Sequence, residues 1–288
     1  MTIHPSIQDL SERVVLVPDE DVHRSSTSSD RVPNRWAVAF VRRGAPLIGV
    51  AAKKAIVGRN RSRTDPTAGR FTKHDVSDFV SAAFDDFGRQ VPGLPAEPTV
   101  GSRQNVMLAA LTLSLLDTLE RGGVERDYAI ELTGDTCWRF YRQWGQVTKT
   151  VSGFISRDPT RRLRLSVNAF LSYPFGRPGY RFDDVPEEDG RSLNMVRCPV
   201  ADYLGGRGAA DLCAGSWCNL DYALAEMWGA SLERSTTLVA GDSRCDFRFH
   251  MAPPARSDTS VHPPVESPAQ LVALRSHFTG ATNGSAHG

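Results

Sequence analysis

The feature that most limits what this chain can fold into is a change of period along it. Between residues 105 and 154 apolar side chains recur every three or four positions, the spacing of helices that hide one face; beyond Arg164 the apolar runs shorten and Gly and Pro separate them, as in strands and turns. Residues 105–120 read as one helix, closed by Gly122 and Gly123. Residues 126–154 read as a longer one, with Ile130, Cys137, Phe140, Trp144, Val147, Val151 and Phe154 in a single stripe expected to pack into the core, Cys137 among them as a core thiol. Strands are expected over residues 165–173 and 176–182, and a late hairpin pairs residues 234–240 with Cys245–Met251 across a turn at residues 241–244. No βαβ alternation and no repeat is visible. The run Gly205-Gly206-Arg207-Gly208 follows a helix instead of a strand and reads as a helix stop, not a phosphate loop. The fold class that follows is α+β: N-terminal helices, then a mixed helix and antiparallel-sheet C-terminal half.

Upstream, residues 36–57 read as one basic helix, packed on the domain in preference to lying on a membrane, and residues 59–70 as a solvated basic loop. A helix carrying Phe79, Ala83 and Phe87 is expected to be capped by Asp75 or Ser77 and to end at Gly88. Residues 1–34 have the polar, Ser-rich composition of a mobile leader and 253–288 that of a disordered tail, leaving 35–252 as one domain. With 288 residues and 40% apolar side chains a full core is within reach. The net charge of +1 argues for neither nucleic acid nor an anionic membrane as an obligatory partner. The longest apolar run, residues 106–116, is too short for the ~20 residues of a membrane span. Five cysteines, an odd number, without a secretory signal point to reduced thiols and a cytoplasmic setting. The sequence does not specify an oligomeric state.

Four of those cysteines, Cys198, Cys213, Cys218 and Cys245, fall within 48 residues. Ser216 is a candidate N-cap, which would place Cys218 and Asp221 on one face of the opening turns of a helix running to Trp228. There the helix dipole favours thiolate, whereas the neighbouring carboxylate opposes it. In the last strand Cys245, Phe247, Phe249 and Met251 share a side, opposite Asp246, Arg248 and His250. Cys198 heads a short helix before Pro199, and Cys213 reads as incidental. Cys218, Asp221 and Cys245 are therefore the candidate catalytic residues. No cofactor is expected. Zinc or another soft metal stays open, with Cys198, Cys218 and Cys245 as its ligands, although paired C-x-x-C ligands are lacking.

The stretches Cys198-Pro199-Val200-Ala201, Cys218-Asn219-Leu220-Asp221 and 234–247, which reads RSTTLVAGDSRCDF, resemble the L-2-amino-thiazoline-4-carboxylic acid hydrolase family. The resemblance implies hydrolytic opening of a cyclic isothiourea to an N-carbamoyl-cysteine. Cys218 would act as nucleophile, or Asp221 as base for a water; Asp221 or Asp246 would suit the cationic amidine, and Arg234, with Thr237 nearby, the substrate carboxylate. Two weaker likenesses stand beside it. Cys218, Asp221 and Cys245 are also similar to the two cysteines and aspartate of organomercurial lyases, and the late hairpin is similar to small-molecule-binding sensor domains of the four-vinyl-reductase type.

Overall fold

The computed structural model describes residues 35–251, which lie within one compact unit; the leader and tail read from the sequence fall outside the described residues. Two helices, α1 (Arg35–Arg43) and α2 (Ala45–Ile56), replace the single one expected. The break at Gly44 follows from Pro46, whose ring fits only a helix's first turn. The basic loop after them is tied down as well as solvated: Arg59 pairs with Glu131 and Asp135, Arg61 with Asp75, and Asn60 bridges Arg70. Helix α3 (Lys73–Gln90) starts at Thr72, whose hydroxyl and the Asp75 side chain form a reciprocal capping box. Asp75 is thus the third-residue partner of the cap, and Ser77 lies inside the helix.

Helix α4 (Val100–Arg121) begins five residues earlier than its apolar pattern suggests, because Thr99 and Ser102 form a second capping box. It is buried along almost its whole length and forms the axis of the helical layer. Helix α5 (Arg126–Ile155) crosses it, and its stripe divides in two. Ile130 is buried, and Cys137 lies 3.5 Å from Thr112 Oγ1, where burial pushes its thiol up to about 11. From Trp144 onward the apolar positions turn to solvent, and the inward face carries Gly145 and Ser152 instead. At Gly145 the side chains of Leu224 and Met227 come close: a Cβ there would lie 2.5 Å from Leu224 Cδ2.

Residues 159–172, half of which read as strand, form helix α6 (Pro159–Ser172). Its start is set by Asp158, which accepts the Arg161 amide at 3.0 Å, and by Pro159; Leu163, Ser166, Val167 and Phe170 then recur at helical spacing on the buried side. The sheet comprises β1 (Arg181–Val185), β2 (Gly190–Arg197), β3 (Ala230–Glu233) and β4 (Cys245–Met251), in the antiparallel order β1-β2-β4-β3. Residues 234–240 are not the strand their sequence suggests: β4 pairs instead with Ala230–Glu233, and the eleven residues 234–244 connect the two. The segment Leu238–Ala240 is a short 3-10 turn capped by Thr237. Helical layers followed by a small antiparallel sheet make the chain α+β, as its sequence predicts.

Between β2 and β3 the chain forms α7 (Pro199–Gly205), then one unbroken helical stretch: α8 (Ala210–Leu212), a π-turn over Cys213–Cys218, and α9 (Asn219–Met227). The π-turn lies hard against α5. A Cβ on Gly134 would stand 2.8 Å from the Gly215 carbonyl oxygen, and one on Gly215 2.5 Å from Ile130 Cγ2. Gly134→Ala is accordingly expected to lower stability by about 1–3 kcal/mol, read by urea denaturation, since backbone cannot yield as a side-chain tip would.

Candidate active site

The described residues pack into two apolar cores, one among the helices and one under the sheet, and Cys198, Phe175 and Trp228 border both. At that seam lies a cavity of about 100 Å³. The sheet contributes Leu193, Met195, Cys245, Phe247 and Phe249; in the register, Met195 faces Cys245 and Leu193 faces Phe247. The same-side arrangement read from the alternation of β4 is what turns Cys245 inward.

Four of the five cysteines line this space: Cys198, Cys213, Cys218 and Cys245. Cys213, which looked incidental, is brought there by the π-turn. In an α-helix residues five apart diverge by about 140°, but a π-turn adds a residue per turn and aligns them. The Cys213 thiol donates to the Cys218 sulfur; that bond, with burial second, holds Cys213 well above its ordinary pKa. Burial likewise raises Cys198, against the pull of the Ala201 and Val200 amides. Cys245 is pushed up to about 12 by burial, with the Cys218 charge adding to it and the Leu238 amide, which donates to its sulfur at 3.2 Å, opposing it. Cys198 and Cys218 are the partly exposed members of the set, and Cys213 and Cys245 are buried.

Ser216 is not an N-cap. Its hydroxyl donates back to the Leu212 carbonyl from within the helix, as serine does in mid-helix, so Cys218 has no free helix N-terminus beside it and the dipole argument for thiolate lapses. Asp221, three residues on, does share the cavity with Cys218. Its Oδ2 accepts from Arg234 Nη1 at 3.1 Å, while Arg234 Nη2 donates to the Cys218 carbonyl at 3.3 Å. The Arg234 side chain has no solvent exposure, and its guanidinium lies 5.0 Å from the Tyr222 ring centre and 5.4 Å from that of Phe247. Both terminal nitrogens are thus engaged with the protein, and the fork fastens β3's exit to the Cys218 turn.

Asp246 and Thr237 do not line the cavity. Asp246 accepts from the amides and hydroxyls of both Ser235 and Thr236, and Thr237 Oγ1 accepts from the Ala240 amide. Burial raises the Asp246 carboxyl, but the Ser235 hydroxyl and the three other donors outweigh it and hold the group at about 2. A pKa depressed on folding stabilises fully above the ordinary carboxylate range and is lost as pH falls through the folded value. Asp246→Asn should therefore be less stable than the parent at pH 7, with the difference vanishing between about pH 4 and pH 2, in denaturant titrations across that range.

Sequence reasoning missed four polar contributors. Tyr141 Oη donates to Asn105 Oδ1 at 2.9 Å, and Asn105 Nδ2 donates to Tyr180 Oη at 2.9 Å; both rings line the cavity, and Asn105 and Tyr180 are 0% exposed. Burial keeps both phenols well above their ordinary pKa. Since Tyr180 accepts from the amide, its own proton is left for another acceptor. Trp217 also lines the cavity, and its indole N–H has no acceptor among the described residues. Nothing in the spacing marked these residues, because each reaches the site from a different element. Among the described residues no three His, Cys, Asp or Glu side chains cluster closely enough to hold a metal, so Cys198, Cys218 and Cys245 share a wall without forming a chelating set.

Comparison with curated proteins returns no match, and neither does comparison with solved structures. A family model, described as L-2-amino-thiazoline-4-carboxylic acid hydrolase, matches residues 105–249. That match runs from the buried asparagine of α4 to the inward phenylalanine of β4, takes in every cavity residue named above, and spans half of the 288 residues; the chain belongs to the L-2-amino-thiazoline-4-carboxylic acid hydrolase family.

Proposed function

We propose that the protein hydrolyses a small cyclic amidine or isothiourea, with 2-amino-thiazoline-4-carboxylate the first substrate to try, in the cavity between the π-turn and the sheet. The observation that carries the proposal is the convergence of four thiols and the Asp221–Arg234 pair on one space of ring size. An apolar cavity of ~150 Å³ admits benzene, so about 100 Å³ suits a single five-membered ring.

Cys218 is the nucleophile in this reading, being partly exposed on the same helical face as Asp221. Its thiol passes the proton to Asp221, and the sulfur adds to the ring carbon between the ring sulfur and the two nitrogens, which protonation of the amidine makes electrophilic. The carbon–ring-sulfur bond breaks, and the departing sulfur takes the electron pair and the proton that Asp221 holds. The opened substrate stays attached to Cys218 as an isothiouronium. Water then adds to the same carbon and gives one proton to Asp221, which returns it to solvent; the bond to Cys218 breaks, its sulfur taking the electron pair and the remaining hydroxyl proton, and the water oxygen becomes the urea carbonyl of N-carbamoyl-cysteine. Asp221 also faces the cationic amidine. Arg234 is a positioning residue, since its nitrogens already hold Asp221 and the Cys218 carbonyl. The substrate carboxylate meets the uncommitted donors, the Tyr180 hydroxyl and the Trp217 N–H. Cys245, a neutral thiol at ordinary pH, closes the wall against the ring sulfur.

The test is direct: full-length protein with excess 2-amino-thiazoline-4-carboxylate, followed by mass spectrometry for N-carbamoyl-cysteine. Catalytic formation of that product supports the reading, and no product from this or any other cyclic isothiourea sinks it.

A further inference from the structure

The last turns of α5 have their polarity inverted. The inward positions carry Gly145 and Ser152, whereas Val147 is 59% exposed, Val151 51%, Ile155 56% and Phe154 88%. At spacings of three and four these four form one ridge that stands out from the surface. Isolated exposed apolar residues need no explanation, but a contiguous ridge on an otherwise packed helix does. At its upstream end Trp144 leans on Tyr173, ring centres 6.2 Å apart, beside an apolar groove that Val147 also lines.

Charge identifies what the ridge meets. The stretch 139–164 holds seven Arg or Lys and a single acid, Asp158, whose carboxylate caps α6. Lys149 and Arg162 share a shallow surface depression with Phe154, and Arg157 and Arg161 follow at the α5–α6 turn. None of these four cations forms an ion pair among the described residues, unlike Arg59, Arg61, Arg126 and Arg197 elsewhere. The near-neutral total of +1 hides this local excess. No described helix is long and apolar enough to cross a membrane.

We infer that the C-terminal end of α5 and the start of α6 form a peripheral docking surface for an anionic lipid bilayer. Val147, Val151, Phe154 and Ile155 enter the acyl boundary; Lys149, Arg157, Arg161 and Arg162 meet the headgroups; Trp144 and Tyr173 sit at the interfacial level favoured by amphipathic rings. A protruding ridge suits a deformable layer, which closes around it, better than a rigid protein partner, which would need a matching groove.

The test is co-sedimentation of the full chain with vesicles of phosphatidylcholine alone or containing phosphatidylserine, at low and high salt. Sedimentation with the anionic vesicles is expected, weakening as salt rises. Val151→Ser/Phe154→Ser should weaken it roughly tenfold or more. Each of Arg161→Glu and Arg162→Glu should weaken it about fivefold. The serine changes lie on exposed positions, and an unchanged melting temperature shows that the fold is kept. Parent protein left in the supernatant, or serine variants that sediment as the parent does, would overturn the inference. So would a parent dimer in sedimentation velocity that Phe154→Ser makes monomeric without any vesicle binding, which would mark the ridge as an interface between two copies.

Discussion

Cys218→Ala is expected to lower turnover of 2-amino-thiazoline-4-carboxylate by roughly a thousandfold or more, with melting temperature close to that of the parent. Alanine there removes one partly exposed sulfur and the weak bond from the Cys213 thiol, and leaves the Cys218 carbonyl in place for Arg234, so folding loses little. Cys245→Ala removes a buried sulfur that accepts the Leu238 amide, and it should cost stability as well as rate. The contrast between the two variants, read by steady-state kinetics and thermal melting, separates the reacting thiol from a wall thiol. Full activity in Cys218→Ala would remove the covalent route and leave Asp221 acting on water.

Arg234→Met carries the largest expected effect on stability. It deletes a guanidinium with no solvent exposure, including its hydrogen bonds to Asp221 and the Cys218 carbonyl and its contacts with two rings, and it takes the Arg234 charge away from the Asp221 carboxylate. Removing one partner of a buried pair typically costs about 3–5 kcal/mol. Because Asp221 is 27% exposed and can draw some water, the lower end applies, about 3 kcal/mol, or roughly 10 °C in melting temperature. Asp221→Leu combined with Arg234→Met should recover part of that loss, since both charges of the pair are then replaced by apolar groups. Equal melting temperatures for parent and Arg234→Met would show that the fork does not fasten β3's exit to the Cys218 turn.

Much of this was legible because local chemistry and tertiary demand agreed. The period of α5, the glycines closing α4, the short helix after Cys198 and the alternation of β4 all survive in the structure. The inward face of β4 correctly turns Cys245 to the cavity, and the spacing of three puts Asp221 beside Cys218. What failed did so for identifiable reasons. Ser216 looks like a cap only if the helix starts there, but the stretch begins at Ala210 and Ser216 bonds back to Leu212. Cys213 looked idle because a spacing of five leaves one α-helical face, and only a π-turn restores it. Asp246 has the side-chain type the amidine calls for, yet four local donors occupy it. The outer half of the α5 stripe looked like core because period shows that a face is apolar and says nothing about what covers it. Asn105, Tyr141 and Tyr180 meet only through the fold, so no stretch of sequence could have named them together.

The central claim, that Cys218 attacks the ring within this cavity, is tested most directly by acid-quenching the full-length protein during turnover of 2-amino-thiazoline-4-carboxylate and measuring its intact and peptide masses. The covalent route predicts an adduct of one whole substrate, since ring opening by the thiol loses no atoms, on the peptide carrying Cys218, and no adduct in Cys218→Ala. Continued turnover by Cys218→Ala, with no adduct on the parent protein, would contradict it.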